Sequence, residues 1–121
     1  MTEKVRVGIA NHGELRERAL QIARGERRRL PDEPKLWFTS LESLAKVLSE
    51  PNRKLLRIID ERHPSSLAEL EAMTGRKSSN LSRTLKTMSQ CGLVELVPGK
   101  RGSVAPKVLV HEIRMDLSIV A

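Results

Sequence analysis

Between Gly75 and Ser103 six residues are cationic, Arg76, Lys77, Arg83, Lys86, Lys100 and Arg101, against Glu95 alone. Six minus one leaves +5 in this window, out of +7 for the 121-residue chain. The other segments carry less: residues 1–35 hold nine basic and six acidic residues (+3), 36–74 hold five and six (−1), and 104–121 hold two of each. Concentrated basicity of this kind suits a surface that meets a polyanion. The polar residues among the cations fit the same chemistry. Arg83 can donate bidentately to guanine and Asn80 can pair with adenine, while Ser78, Ser79 and Ser82 can serve bases or phosphate. Arg76 and Lys77 lie at a helix approach, where exposed amides also favour phosphate. Lys100 and Arg101, bracketed by Gly99 and Gly102, suit backbone or minor-groove contact.

Aromatic content narrows the polyanion. Apart from histidine, Trp37 and Phe38 are the only aromatic residues, and both lie outside the basic window. Readers of single strands stack bases on aromatic platforms, which this chain lacks. A helix in the major groove needs none. Double-stranded DNA is the expected partner.

Catalytic chemistry finds no footing. There are no paired carboxylates, no HExxH and no nucleophile elbow, and GKRGS is not a phosphate loop because Val94 stands where the first glycine belongs. His12 and His63 fall near helix ends as capping or solvent groups. His111 falls in the apolar phase of a strand and reads as a core residue. Cys91 beside Gly92 reads as a small buried hydrophobe, with a redox-sensing thiol as the alternative. One cysteine and three histidines make neither an internal disulfide nor a zinc cluster. No enzyme, metal or cofactor is expected. No apolar run exceeds three residues, so no membrane span or signal-peptide core is expected either, and the cytoplasm is the default location.

The elements that must position the basic window follow from periodicity. KVRVGIA alternates as a short strand. Leu15, Ala19, Ile22 and Ala23 recur as on a helix from His12 to Arg24, stopped near Gly25. ERRRLPDEPK reads as a loop, its Arg27–Arg29 run as a solvated charge block. LWFT is a brief strand burying Trp37 or Phe38. Thr39 and Glu42 have capping-box spacing ahead of Leu41, Leu44, Ala45 and Leu48. Ser49 and Pro51 open a helix with Leu55, Leu56, Ile58 and Ile59 inside, closed by His63–Pro64. Ser66 and Glu69 repeat the box and open a short helix to Met73, broken at Thr74–Gly75. A helix from Ser78 to Gln90 ends at Gly92. It places Leu81, Leu85 and Met88 within about 60° of one another and Ser79, Arg83, Lys86 and Gln90 opposite. LVELV is then a strand, PGKRGS a turn, and a return strand from Val104 is interrupted early by Pro106. Ile113, Met115, Leu117 and Ile119 alternate as a last strand, expected to pair with Val5–Ile9 within or across protomers.

Helices, a short turn, and a hairpin with a basic tip describe a winged helix-turn-helix. The segment SLAELEAMTGRKSSNLSRTLKTMSQCGLVELVPGKRG resembles the winged-helix core of MarR- and ArsR-like transcriptional regulators. The VRVGI opening, the proline-broken loop and LWFTSLESL resemble a small family of predicted winged-helix regulators, some of which serve as antitoxins. VAPKVLV carries a proline in the return strand much as that family does. The basic RKSSN departs from it, since acidic residues are common there in relatives, so no target site is carried over. The expected chain is α+β, with residues 1–38 a strand-helix extension for dimerisation or partner contact and 39–121 a winged helix with a C-terminal strand. The resemblance implies a homodimeric repressor acting on its own operon. The alternative is an antitoxin that binds a toxin protein, with residues 1–38 and the arginine run as the docking surface.

Overall fold

The computed structural model describes residues 4–28, 30, 33–117 and 119–120. Its first strand, β1 (Lys4–Ile9), buries Val5 and Val7 on one face. The helix α1 (His12–Ala23) carries the chain across to β2 (Leu36–Phe38), which lies parallel to β1 with Val7 beside Leu36 and Gly8 beside Trp37. The C-terminal strand β5 (Glu112–Met115) lies parallel along the other side, pairing Lys4 with Glu112 through Val7 with Met115. The order β2-β1-β5 is therefore wholly parallel, and each neighbour of β1 is distant in sequence. Gly8 is required here: a Cβ at this position would sit 2.5 Å from the Trp37 ring.

Four helices follow β2: α2 (Leu41–Val47), α3 (Glu50–Arg62), α4 (Leu67–Thr74) and α5 (Ser78–Gln90). Serine hydroxyls start three of them. Ser40, Ser49 and Ser66 each accept the amide three residues on, at 3.1, 3.4 and 3.1 Å. The first cap thus falls at Ser40, one residue beyond the expected Thr39, whose hydroxyl turns to Ser43 instead. At α4 the cap is where the sequence places it. Glu69 does not close the box, however, because its carboxylate takes the neighbouring Ser65 hydroxyl. His63 closes α3 in the left-handed region at φ 48°, ahead of buried Pro64.

An antiparallel pair, β3 (Val94–Pro98) and β4 (Val104–Val108), completes the order. The return strand runs through Pro106 rather than breaking there. Hydrogen bonds from Leu109 to Leu93 (2.9 Å) and from Gly99 to Ser103 (2.7 Å) set the alternation. It puts Leu96 and Pro106 in a non-hydrogen-bonded pair, so the missing N–H interrupts no ladder bond.

One apolar cluster joins these parts. Val5, Val7, Leu36 and Phe38 of the sheet pack with Leu44, Leu55, Ile59, Leu70, Leu81, Leu85, Met88, Leu93 and Val94. The chain is a mixed α+β protein. Among the described residues no helix is long and apolar enough to cross a membrane.

Two readings need correction. His111 is an exposed residue outside β4 and β5, not a core residue; its Nε2 lies 2.9 Å from Asp60 Oδ1 of α3. The last strand stops at Met115, and Leu117 and Ile119 are 50% and 92% exposed, so they form no continued face. With nothing beside them to cover that face, alternation alone does not extend the ladder; Ser118 lies outside the described residues.

Candidate nucleic-acid interface

The turn into α5 is built from local chemistry. Gly75 ends α4 in the left-handed region at φ 76°. The Thr74 hydroxyl donates to Leu70 O at 2.9 Å and accepts the Arg76 amide at 3.1 Å. The chain re-enters helix at Ser78, with Lys77 as a cap residue that makes no side-chain cap bond and no acid in the first turn. First-turn amides left this way favour an anion.

From there the side chains divide cleanly. Leu81, Leu85 and Met88 are at most 1% exposed, while Ser79, Asn80, Ser82, Arg83, Lys86 and Gln90 are exposed. The far end is fixed by a six-residue closure, in which the Leu93 amide reaches Met88 O at 2.9 Å and the Gly92 amide reaches Ser89 O at 3.1 Å. Gly92 is left-handed at φ 86°, and a Cβ there would lie 2.9 Å from Leu36, so any larger residue would disturb both the helix end and β2. β3 then packs against α5.

The hairpin tip holds itself. Lys100–Gly102 makes one tight 3-10 turn, with Arg101 left-handed at φ 57°. Ser103 donates its hydroxyl to Lys100 O at 2.7 Å. Lys100 and Arg101 are exposed beyond it. Among the described residues no ion pair involves Lys77, Arg83, Lys86, Lys100 or Arg101.

Two of the sequence-selected residues are engaged internally. The Ser78 hydroxyl donates to the Glu71 carboxylate of α4. The Arg76 guanidinium donates to Asn52, Asn80 and Thr84. Lys46, which the charge window does not include, lines a surface cleft of about 200 Å³ together with Arg83 and Thr87. Asn52 and Thr84 were likewise outside the sequence reading, for neither belongs to a charge run or an apolar stripe.

Cys91 is half-buried, and burial pushes its thiol above the ordinary 9.0. That favours the neutral thiol and runs against the redox-sensing alternative. Among the described residues no cluster of His, Cys, Asp and Glu could hold a metal ion.

No curated protein and no solved structure matches the chain. A family model described as HVO_A0114 matches residues 47–115, from the end of α2 through β5. That span is more than half of the sequence and contains all of α5 and the β3–β4 hairpin, and the chain belongs to the HVO_A0114 family.

Proposed function

We propose that this chain is a sequence-specific double-stranded DNA-binding regulator in which α3, α4 and α5 form a helix-turn-helix and β3–β4 its wing. One observation carries the reading: Lys77, Arg83, Lys86, Lys100 and Arg101 are exposed, and none is paired among the described residues. α5 would enter the major groove, with Arg83 donating to guanine and Ser79, Ser82 and Lys86 at base edges or phosphate. The wing tip would lie on the backbone or in the minor groove. Repression of its own operon as a cytoplasmic homodimer belongs to the same reading, as does the resemblance to MarR- and ArsR-like regulators. The antitoxin alternative has less behind it, since Arg27 of the arginine run lies 3.9 Å from Glu33 and Arg29 is outside the described residues.

The test is equilibrium binding to selected and random duplexes at several salt concentrations. Neutralising three or four phosphates per protomer should give a dimer a log K against log salt slope of roughly −6. Arg83→Ala should weaken the selected site by about 1–3 kcal/mol and relax one base position. Unchanged affinity in that variant would remove α5 from the interface.

A further inference from the structure

Arg76 reaches three side chains at once. Its Nε donates to Asn80 Oδ1 at 2.8 Å, Nη1 to Asn52 Oδ1 at 3.2 Å and Nη2 to Thr84 Oγ1 at 3.1 Å. A guanidinium has donors only, so both carboxamides must turn their oxygens toward it. Asn52 meets the demand with its Nδ2 on the last carbonyls of α2, Val47 O at 3.0 Å and Lys46 O at 3.4 Å. The fork therefore ties the end of α2, the start of α3 and the exposed face of α5 into one network. Asn80 differs from Asn52 in one respect. It is exposed, and among the described residues its Nδ2 has no hydrogen-bond partner.

We infer that Arg76 is a positioning residue that fixes the Asn80 carboxamide with Nδ2 outward, so that position 80 presents a donor to the groove and selects a base edge offering an acceptor. The inference rests on the DNA-binding reading above. A free asparagine side chain can flip its amide in solvent and so offer either a donor or an acceptor to a base. With its oxygen held by Arg76, the accessible nitrogen can only donate. Purine N7, guanine O6 and thymine O4 satisfy it; the cytosine amino group does not. This assigns Arg76 a different part from the phosphate contact its charge suggests. A guanidinium holding three acceptors by three of its nitrogens has little left for a phosphate oxygen.

Selection from a random duplex pool, followed by binding at several salt concentrations, tests this on the full chain. Arg76→Lys keeps the charge and loses the planar fork, and Arg76→Gln loses both. Both variants should lose preference at one base position, by about tenfold for a single lost donor contact. Both should keep the preference set by Arg83 and the wild-type salt slope. Asn80→Asp supplies an arm that does not loosen the helices, because a carboxylate still pairs with Arg76 while turning an acceptor outward. It should move the selected base toward one that offers an amino group. Wild-type selection by Arg76→Lys would overturn the inference, and so would a slope flattened by about one in Arg76→Gln, the mark of a phosphate contact. An unchanged preference in Asn80→Asp would overturn it too. Wild-type protein that binds no duplex would overturn the DNA reading itself, and this inference with it.

Discussion

The chain is basic in two places, and the two dispose of their charge in different ways. In the strand-rich part Lys4 lies 3.4 Å from Glu112, Arg6 lies 3.1 Å from Asp116, and both Arg18 and Arg27 pair with Glu33. On α5 and the hairpin, Lys77, Arg83, Lys86, Lys100 and Arg101 pair with nothing among the described residues. Counting charge gives +3 against +5, which understates the contrast. Exposed ion pairs contribute about 0–1 kcal/mol each, so leaving α5 unpaired sacrifices little stability. What it leaves is a set of cations in mutual repulsion, relieved when a polyanion supplies the counter-charge. Composition locates basic residues, and only geometry says which of them are free.

The largest expected effect breaks the comparison directly. Changing Lys77, Lys86, Lys100 and Arg101 together to Gln should move the salt slope toward zero. Affinity near physiological salt should fall by about 10³ or more, as expected on losing several phosphate contacts per dimer. Changing Lys4, Arg6 and Arg27 to Gln should leave the slope in place. Equal flattening by the two sets would mean that both regions meet the duplex, and the contrast would fall.

A smaller effect separates fold from binding on the sheet side. Gly8→Ala puts a Cβ 2.5 Å from Trp37 Cζ3 and 2.9 Å from Pro34 Cγ. Overpacking of this kind typically costs about 1–3 kcal/mol. Denaturant melts should register that loss, while the salt slope for DNA stays as in the wild type. A stability unchanged within a few tenths of a kcal/mol would show that Trp37 swings aside without penalty.

The same contrast marks what was legible in the sequence. α5 could be read to its ends because Leu81, Leu85 and Met88 recur at helical spacing, and Gly75 and Gly92 stand at its borders. Ser49 and Ser66 announced their helices for a local reason too, as caps act over three residues. Ser40 was displaced by its neighbour Thr39, since two adjacent hydroxyls offer the same signal and only the entry angle of the chain chooses. The pairing of β1 with β5 could be anticipated from two unpartnered alternating segments. Its parallel sense and the β1–β2 ladder could not, because partners so far apart leave no turn between them to read. Arg76 escaped for another reason. A long side chain can turn inward as easily as out, and the acceptor that helps turn it, Asn52, is 24 residues away.

The smallest effect concerns how the paired side holds its charge. Hydrogen bonding from Arg18 is the main reason the Glu33 carboxyl sits below its ordinary 4.5; partial desolvation opposes this, and a backbone hydrogen bond at Leu30 and the charges of Arg18 and Arg27 add to it. A carboxyl lowered on folding contributes stability that is fully present above its unfolded value. That contribution is lost as pH falls through the lowered folded value, because the proton then binds the unfolded chain more readily. Acidification from neutral should therefore leave this contribution intact down to about 4.5 and remove it below. Glu33→Gln should be less stable than wild type at neutral pH, with the gap closing in acid. The chain carries its own reporter, for the Arg18 guanidinium lies 5.1 Å from the ring centroid of Trp37, the only tryptophan. When Glu33 is protonated its hold on Arg18 weakens, and Trp37 emission should shift with the same midpoint. In Glu33→Gln that acid transition should disappear. A Trp37 transition unchanged in the variant would mean that another carboxyl governs this corner of the sheet.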